Sequence, residues 1–162
     1  MRKSTIALIA FSAAIAACTG RPATGVLTGD FGSFNGASVA LTEEGGIAAL
    51  SSTRAVRHDD RFFSYVQRHI CATVCPTPLD TASGSLSAAA TDSLFTIVFS
   101  PAALDLESNY GTTPNSADMI SYTLTLAANG NTKVVRADDG TMPAPMRQIV
   151  NALHGAISAA RH

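Results

Sequence analysis

The sequence predicts an α+β domain: an antiparallel sheet of about four or five strands with two helices packed on one face. Three observations carry that expectation. Ile120, Tyr122, Leu124 and Leu126 alternate strictly with Ser121, Thr123, Thr125 and Ala127, the period of a strand with one buried face. Asn129-Gly130 comes next, the dipeptide of a two-residue type I′ turn, and Thr132 to Ala137 returns as the second strand of a hairpin. Met146, Ile149, Val150, Leu153 and Ile157 then recur at helical spacing behind Pro143 and Pro145. Strands, a helix, a strand hairpin and a last helix is the order expected when helices lie on one face of an antiparallel sheet.

The remaining elements are taken in chain order. Residues 18–36 are rich in Thr, Gly, Ser and Asn, with Val26, Leu27, Phe31 and Phe34 scattered among them. They read as a flexible tether, and one domain is expected over 37–162. Val39 and Leu41 alternate with Ser38, Ala40 and Thr42 as a first strand. Glu43-Glu44-Gly45-Gly46 supplies turn residues, and Ile47 to Val56 reads as the second strand. His58 to Arg61 is a polar turn. Phe62 to Cys71 is rich in β-formers, and Pro76 and Pro78 keep the next segment irregular. Ala88 to Phe99 fits a helical face through Ala90, Leu94, Ile97 and Val98, although Leu94 to Phe99 also fits a strand. The Ala-rich start favours a helix ending before Pro101. Asp105 to Asp118 is a polar loop holding Tyr110, and Asp138-Asp139-Gly140 closes the hairpin. Arg147, Asn151 and His154 fall on the expected solvent side of the last helix.

The N-terminus reads as an address. Met1-Arg2-Lys3 is positive, Ile6 to Phe11 is apolar, and small residues lead into Cys18. The apolar run is shorter than the about 20 residues that span a bilayer. Ile15-Ala16-Ala17-Cys18 resembles the lipobox of bacterial lipoproteins, which implies a signal peptide over 1–17 and lipidation at Cys18. Membrane attachment through the N-terminal lipid is the expectation, because several acyl chains anchor firmly where one does not. Thr19 stands where the Gram-negative retention signal has Asp, so the expected location is the cell envelope, at the outer membrane in a Gram-negative source.

Charge excludes one class of partner. The 162 residues hold 11 basic and 12 acidic side chains, for a formal net charge of -1, with no basic run, so nucleic acid is not an expected partner. Once Cys18 is assigned to lipid, Cys71 and Cys75 remain as an even pair. Outside the cytoplasm they are expected to form a disulfide that fixes a short local bend. The competing use is a metal site from His69, Cys71 and Cys75 with His58 nearby; the disulfide is preferred, and no metal or other cofactor is expected.

Catalytic motifs are not legible. There is no Gly-x-Ser-x-Gly, no papain-like Cys surround and no Gly-Lys-Ser/Thr ending to the Gly-rich stretch. The acidic pairs Glu43-Glu44, Asp59-Asp60 and Asp138-Asp139 fall at expected turns, where local backbone hydrogen bonding accounts for them. The chain is therefore read as a binding module rather than an enzyme. Its candidate contact residues are Glu43 and Glu44 in the first turn, Thr73 in the Cys loop and Tyr110.

Four segments in order, Glu44-Gly45-Gly46-Ile47-Ala48-Ala49-Leu50, Asp118-Met119-Ile120-Ser121-Tyr122, Asp139-Gly140-Thr141-Met142-Pro143 and Ile149-Val150-Asn151-Ala152-Leu153, resemble the emfourin-like (protealysin inhibitor-like) proteins. The resemblance spans about residues 38–158. It implies a small single-domain α+β bacterial protein of a family whose namesake inhibits thermolysin-like metalloproteases, so a secreted metalloprotease is one expected partner. The Cys71–Cys75 loop and the tether depart from the compact pattern of that family. The alternative is a structural or assembly lipoprotein that binds another envelope protein; a metal or redox carrier ranks below both.

Overall fold

The computed structural model describes residues 34–70, 78–114 and 118–161. Among these residues six strands and three helices succeed one another: β1 (Ser38–Gly45), β2 (Leu50–Arg57), β3 (Phe62–His69), β4 (Asp80–Ser85), α1 (Ala88–Val98), α2 (Pro101–Leu104), β5 (Ile120–Ala128), β6 (Asn131–Asp138) and α3 (Ala144–Ala160). The strands form one antiparallel sheet in the order β4-β3-β2-β1-β5-β6. The α+β class is as expected. The sheet has one or two strands more than expected, and there is one helix more.

The two unexpected elements are those with the weakest sequence signal. β4 reads Asp-Thr-Ala-Ser-Gly-Ser, with no large apolar residue to set a period. Among the described strands it pairs with β3 alone, where Ala82 and Gly84 lie opposite Tyr65 and Phe63. α2 is a single turn of four residues. The Ser100 side chain caps it by accepting from Ala103 N, and Pro101 takes its first turn, where a missing N–H costs nothing. Residues 88–98 are helical, not a strand. The Ser87 side chain caps α1, and the helix stops at Phe99, ahead of Pro101.

Strand parity decides which face is inside. Leu41 lies opposite Leu124 and Val39 opposite Leu126, with Val56 beside Val39 and Val135 beside Leu124. These residues are fully buried and form one core with Leu94, Phe95 and Val98 of α1 and Met146, Ile149, Leu153 and Ile157 of α3. The Asn129-Gly130 turn has φ of 52° and 75°, the two positive values that type I′ requires. The packed chain reaches back to Phe34, whose ring lies 5.3 Å from His58 and 5.9 Å from Phe99, in a cluster completed by Phe95.

α3 crosses the strands on the inner face. It starts just past the end of β6, sets His154 against Glu43 of β1 and reaches Asp80 of β4 through Arg161. The outer edge of β6 is partly sealed: Arg136 N donates to Ser108 O and Tyr110 N donates to Arg136 O.

Candidate binding end of the sheet

One end of the sheet gathers the features that distinguish this chain. It is the end where β1 turns into β2, β3 leaves at His69, β4 enters at Asp80 and β5 enters at Ile120. Residues 46–49 make the first turn, closed by Ala49 N donating to Gly46 O at 3.0 Å. Gly45 has φ of 117°, and a Cβ there would lie 2.6 Å from Met119 O. Both the conformation and the close approach of Met119 require glycine. Ile70 N donates to Ala49 O at 2.6 Å, which ties the turn to the chain leaving β3.

The exposed large apolar residues among the described residues are Ile47, Ile70 and Leu79, at 89%, 46% and 52% exposure. All three lie at this end, on the first turn and on the two stretches that flank β3 and β4. Beside the turn opens a cleft of about 300 Å³, lined by Ile47, Leu50 and Ile120 together with Glu43, Ser52 and Arg54. An apolar rim around a few convergent polar groups is the usual make-up of a recognition site.

The polar part of the cleft is built by parity. Glu43 follows Val39 and Leu41 on the inner face of β1, and Ser52 and Arg54 precede Val56 on the inner face of β2. Ser52 Oγ donates to Glu43 Oε2 at 2.8 Å, and Arg54 Nη1 donates to Ser52 Oγ at 2.8 Å. Arg54 also pairs directly with Glu43. His154 Nε2 lies 3.1 Å from Glu43 Oε1. Burial pushes the Glu43 carboxyl up, but the nearby His154 side chain, the hydrogen bond from Ser52 and the charge of Arg54 outweigh it. The net effect holds Glu43 below the usual carboxylate range. The Arg54 guanidinium rests over the Tyr65 ring, 4.8 Å from its centroid, and Arg161 lies 4.7 Å from the same centroid.

A second polar group anchors the neighbouring corner. Asp138 is only 3% exposed. It accepts from the backbone N–H and hydroxyl of Thr113, the N–H of Gly140 and the N–H of Thr141. The Thr113 backbone bond leads in drawing its carboxyl down to about 2, against the pull of burial. Asp139 accepts from Tyr122 Oη at 2.8 Å and from Ile120 N at 3.1 Å. Burial first, then the bond to Asp139, push the Tyr122 phenol up. The two acids at the end of the hairpin thus fasten the 111–113 stretch and the start of β5.

These contacts correct several expectations. Glu43 and Glu44 are not turn residues: β1 runs on to Gly45, pairing Glu44 with both Ser51 and Ser121. Glu43 faces inward, while Glu44 is exposed on the opposite face. His154 is not a solvated residue on the far side of α3 but meets the sheet at Glu43. Tyr110 stands at the β6 edge, half-buried, with its hydroxyl accepting from Glu107 N; it lies three strands away from β2 and its turn. His58 and His69 lie at opposite ends of β3, and His58 instead meets Asp92 at 3.3 Å and the Phe95 ring. Cys18, Cys71, Thr73 and Cys75 lie outside the described residues.

Among the described residues, no group of three metal-binding side chains converges, and no helix is long and apolar enough to cross a membrane. In the cleft, Ser52 Oγ donates to Glu43 Oε2, and His154 Nε2 faces the other carboxylate oxygen, Oε1. The chain matches no protein-family model, and no curated protein is significantly similar to it.

Proposed function

We propose that this chain is a lipid-tethered binding protein of the bacterial cell envelope, without catalytic activity, and that the β1–β2 end of its sheet is the contact surface. The observation that carries the reading is the gathering of Ile47, Ile70 and Leu79 at one end, beside a cleft with a fixed polar wall. Ile47 gains nothing for the fold from its exposure. Held on a turn whose backbone is fixed by Gly45 and Ala49, it is preorganised, so docking costs little conformational entropy. The Cys18 lipobox supports the membrane tether.

The partner class rests on the four segments that resemble emfourin-like proteins: a secreted thermolysin-like metalloprotease. Two of those segments, Glu44 to Leu50 and Asp118 to Tyr122, form the turn and the strand entry that bound the cleft. Residues 19–162 titrated against such proteases should remove activity stoichiometrically. Ile47→Asp should leave the fold unchanged and abolish inhibition. Full protease activity at micromolar excess of the wild-type chain would refute the inhibitor reading. Retention of an envelope protein in the same conditions would then favour an assembly role.

A further inference from the structure

The two edges of the sheet are finished differently. On β6, Arg136 spends its outward N–H and C=O on Ser108 and Tyr110. On β4 no described residue makes a corresponding bond. Leu86 N donates to Arg61 O one step beyond the β3–β4 register. In an antiparallel pair such bonds recur at every second residue, so Ala82 and Gly84 turn their main-chain groups toward β3. Thr81, Ser83 and Ser85 turn theirs away, and all three residues are exposed. No described residue bonds to that side.

From Thr81 to Ser85, β4 lacks the usual guards against strand addition; the inward charge, Asp80, stands only at its first position. Edge strands are commonly protected by Lys, Pro, a bulge or an inward charge. Thr81 to Ser85 holds none of these: it is Thr-Ala-Ser-Gly-Ser. The one charge of the strand, Asp80, is paired with Arg161 at its end.

We infer that β4 is a self-association edge, pairing antiparallel with β4 of a second copy about a twofold axis at Ser83 to make a continuous twelve-stranded sheet. The argument for a second copy is that the edge complements itself. With Ser83 opposite Ser83 of the second copy, Thr81 meets Ser85 and Ser85 meets Thr81, so the outward N–H and C=O groups fall into register as hydrogen-bonded pairs. On the inner face, Ala82 meets Gly84, and both are small. No two like charges face each other, because the residue opposite Asp80 is Leu86. The pairing leaves the β1–β2 end free and does not depend on what binds there.

Sedimentation of residues 19–162, which include every described residue, tests this in the presence of reductant, so that thiols cannot link two copies. The wild-type chain should shift from monomer to dimer as concentration rises. Ser83→Pro removes both hydrogen bonds across the axis and should weaken the dimer about thirtyfold. The N–H it removes faces solvent in the monomer, so the fold should persist. A charge pair reads the register independently of proline: Thr81→Lys with Ser85→Lys should abolish the dimer. Thr81→Lys with Ser85→Glu should keep it, because each lysine then faces a glutamate. A wild-type chain that stays monomeric at the highest attainable concentration, or a dimer indifferent to all three variants, would overturn the inference.

Discussion

Replacing Glu43 with Gln tests whether the polar wall of the cleft is held by charge. Glu43 and Arg54 have side chains only 13% and 18% exposed and touch each other directly. At the effective dielectric of such sites, unit charges about 4 Å apart attract by about 4 kcal/mol, and partial desolvation of both groups offsets much of that. The glutamine amide keeps the shape and can still accept from Ser52, but it leaves the Arg54 charge uncompensated. In a fully buried pair this costs about 3–5 kcal/mol. Here the cleft admits water to the pair, so the expected loss is about 2 kcal/mol. The pH dependence has a definite sign. The folded carboxyl titrates below its ordinary value of 4.5, so its contribution is fully present above that value and is lost as pH falls through the lower folded one. Urea unfolding of wild type and Glu43→Gln should therefore differ by about 2 kcal/mol at neutral pH, with the gap closing on acidification below the ordinary carboxylate range. A difference within about 0.5 kcal/mol at neutral pH, the scatter of ordinary surface changes, or a gap that widens in acid would refute the electrostatic argument.

The same geometry sets three further outcomes. Leu41→Ala empties a fully buried site opposite Leu124 and should cost about 3–4 kcal/mol in chemical denaturation. Gly45→Ala forces a Cβ to within 2.6 Å of Met119 O at a φ of 117°; it should destabilise by about 2 kcal/mol or more, and amide spectra should change at the first turn and at Met119. Asp138→Asn should flatten the acid limb of the stability curve: a folded carboxyl at about 2 stabilises above the ordinary carboxylate value and loses that contribution as pH falls toward 2, so the wild-type chain should show a loss there that the variant lacks.

The parts of the fold that were legible in the sequence are those with large side chains in a regular period. β5, β6 and α3 bury Leu124, Leu126, Val135 and the Met146 to Ile157 stripe, and the hairpin turn is fixed by Asn129-Gly130. β4 was not legible because an edge strand of Ser, Thr, Ala and Gly presents no hydrophobic alternation. The charged cleft was legible in principle. Glu43 is in phase with Val39 and Leu41, and Ser52 and Arg54 are in phase with Val56. A polar residue on a buried phase demands partners on the neighbouring strand. The paired glycines suggested a turn beginning at Glu43 instead, although the strand needs only Gly45 and Gly46 to end. The place of His154 depends on the direction in which α3 crosses the sheet, and no local pattern encodes a crossing angle.

The most direct test of the binding end is a titration of thermolysin-like metalloproteases with residues 19–162, run beside Ile47→Asp at equal concentration. Stoichiometric loss of activity with the wild-type chain, and none with the variant, is the outcome expected if the β1–β2 turn makes the contact. Full activity with both chains, or equal inhibition by both, would contradict it.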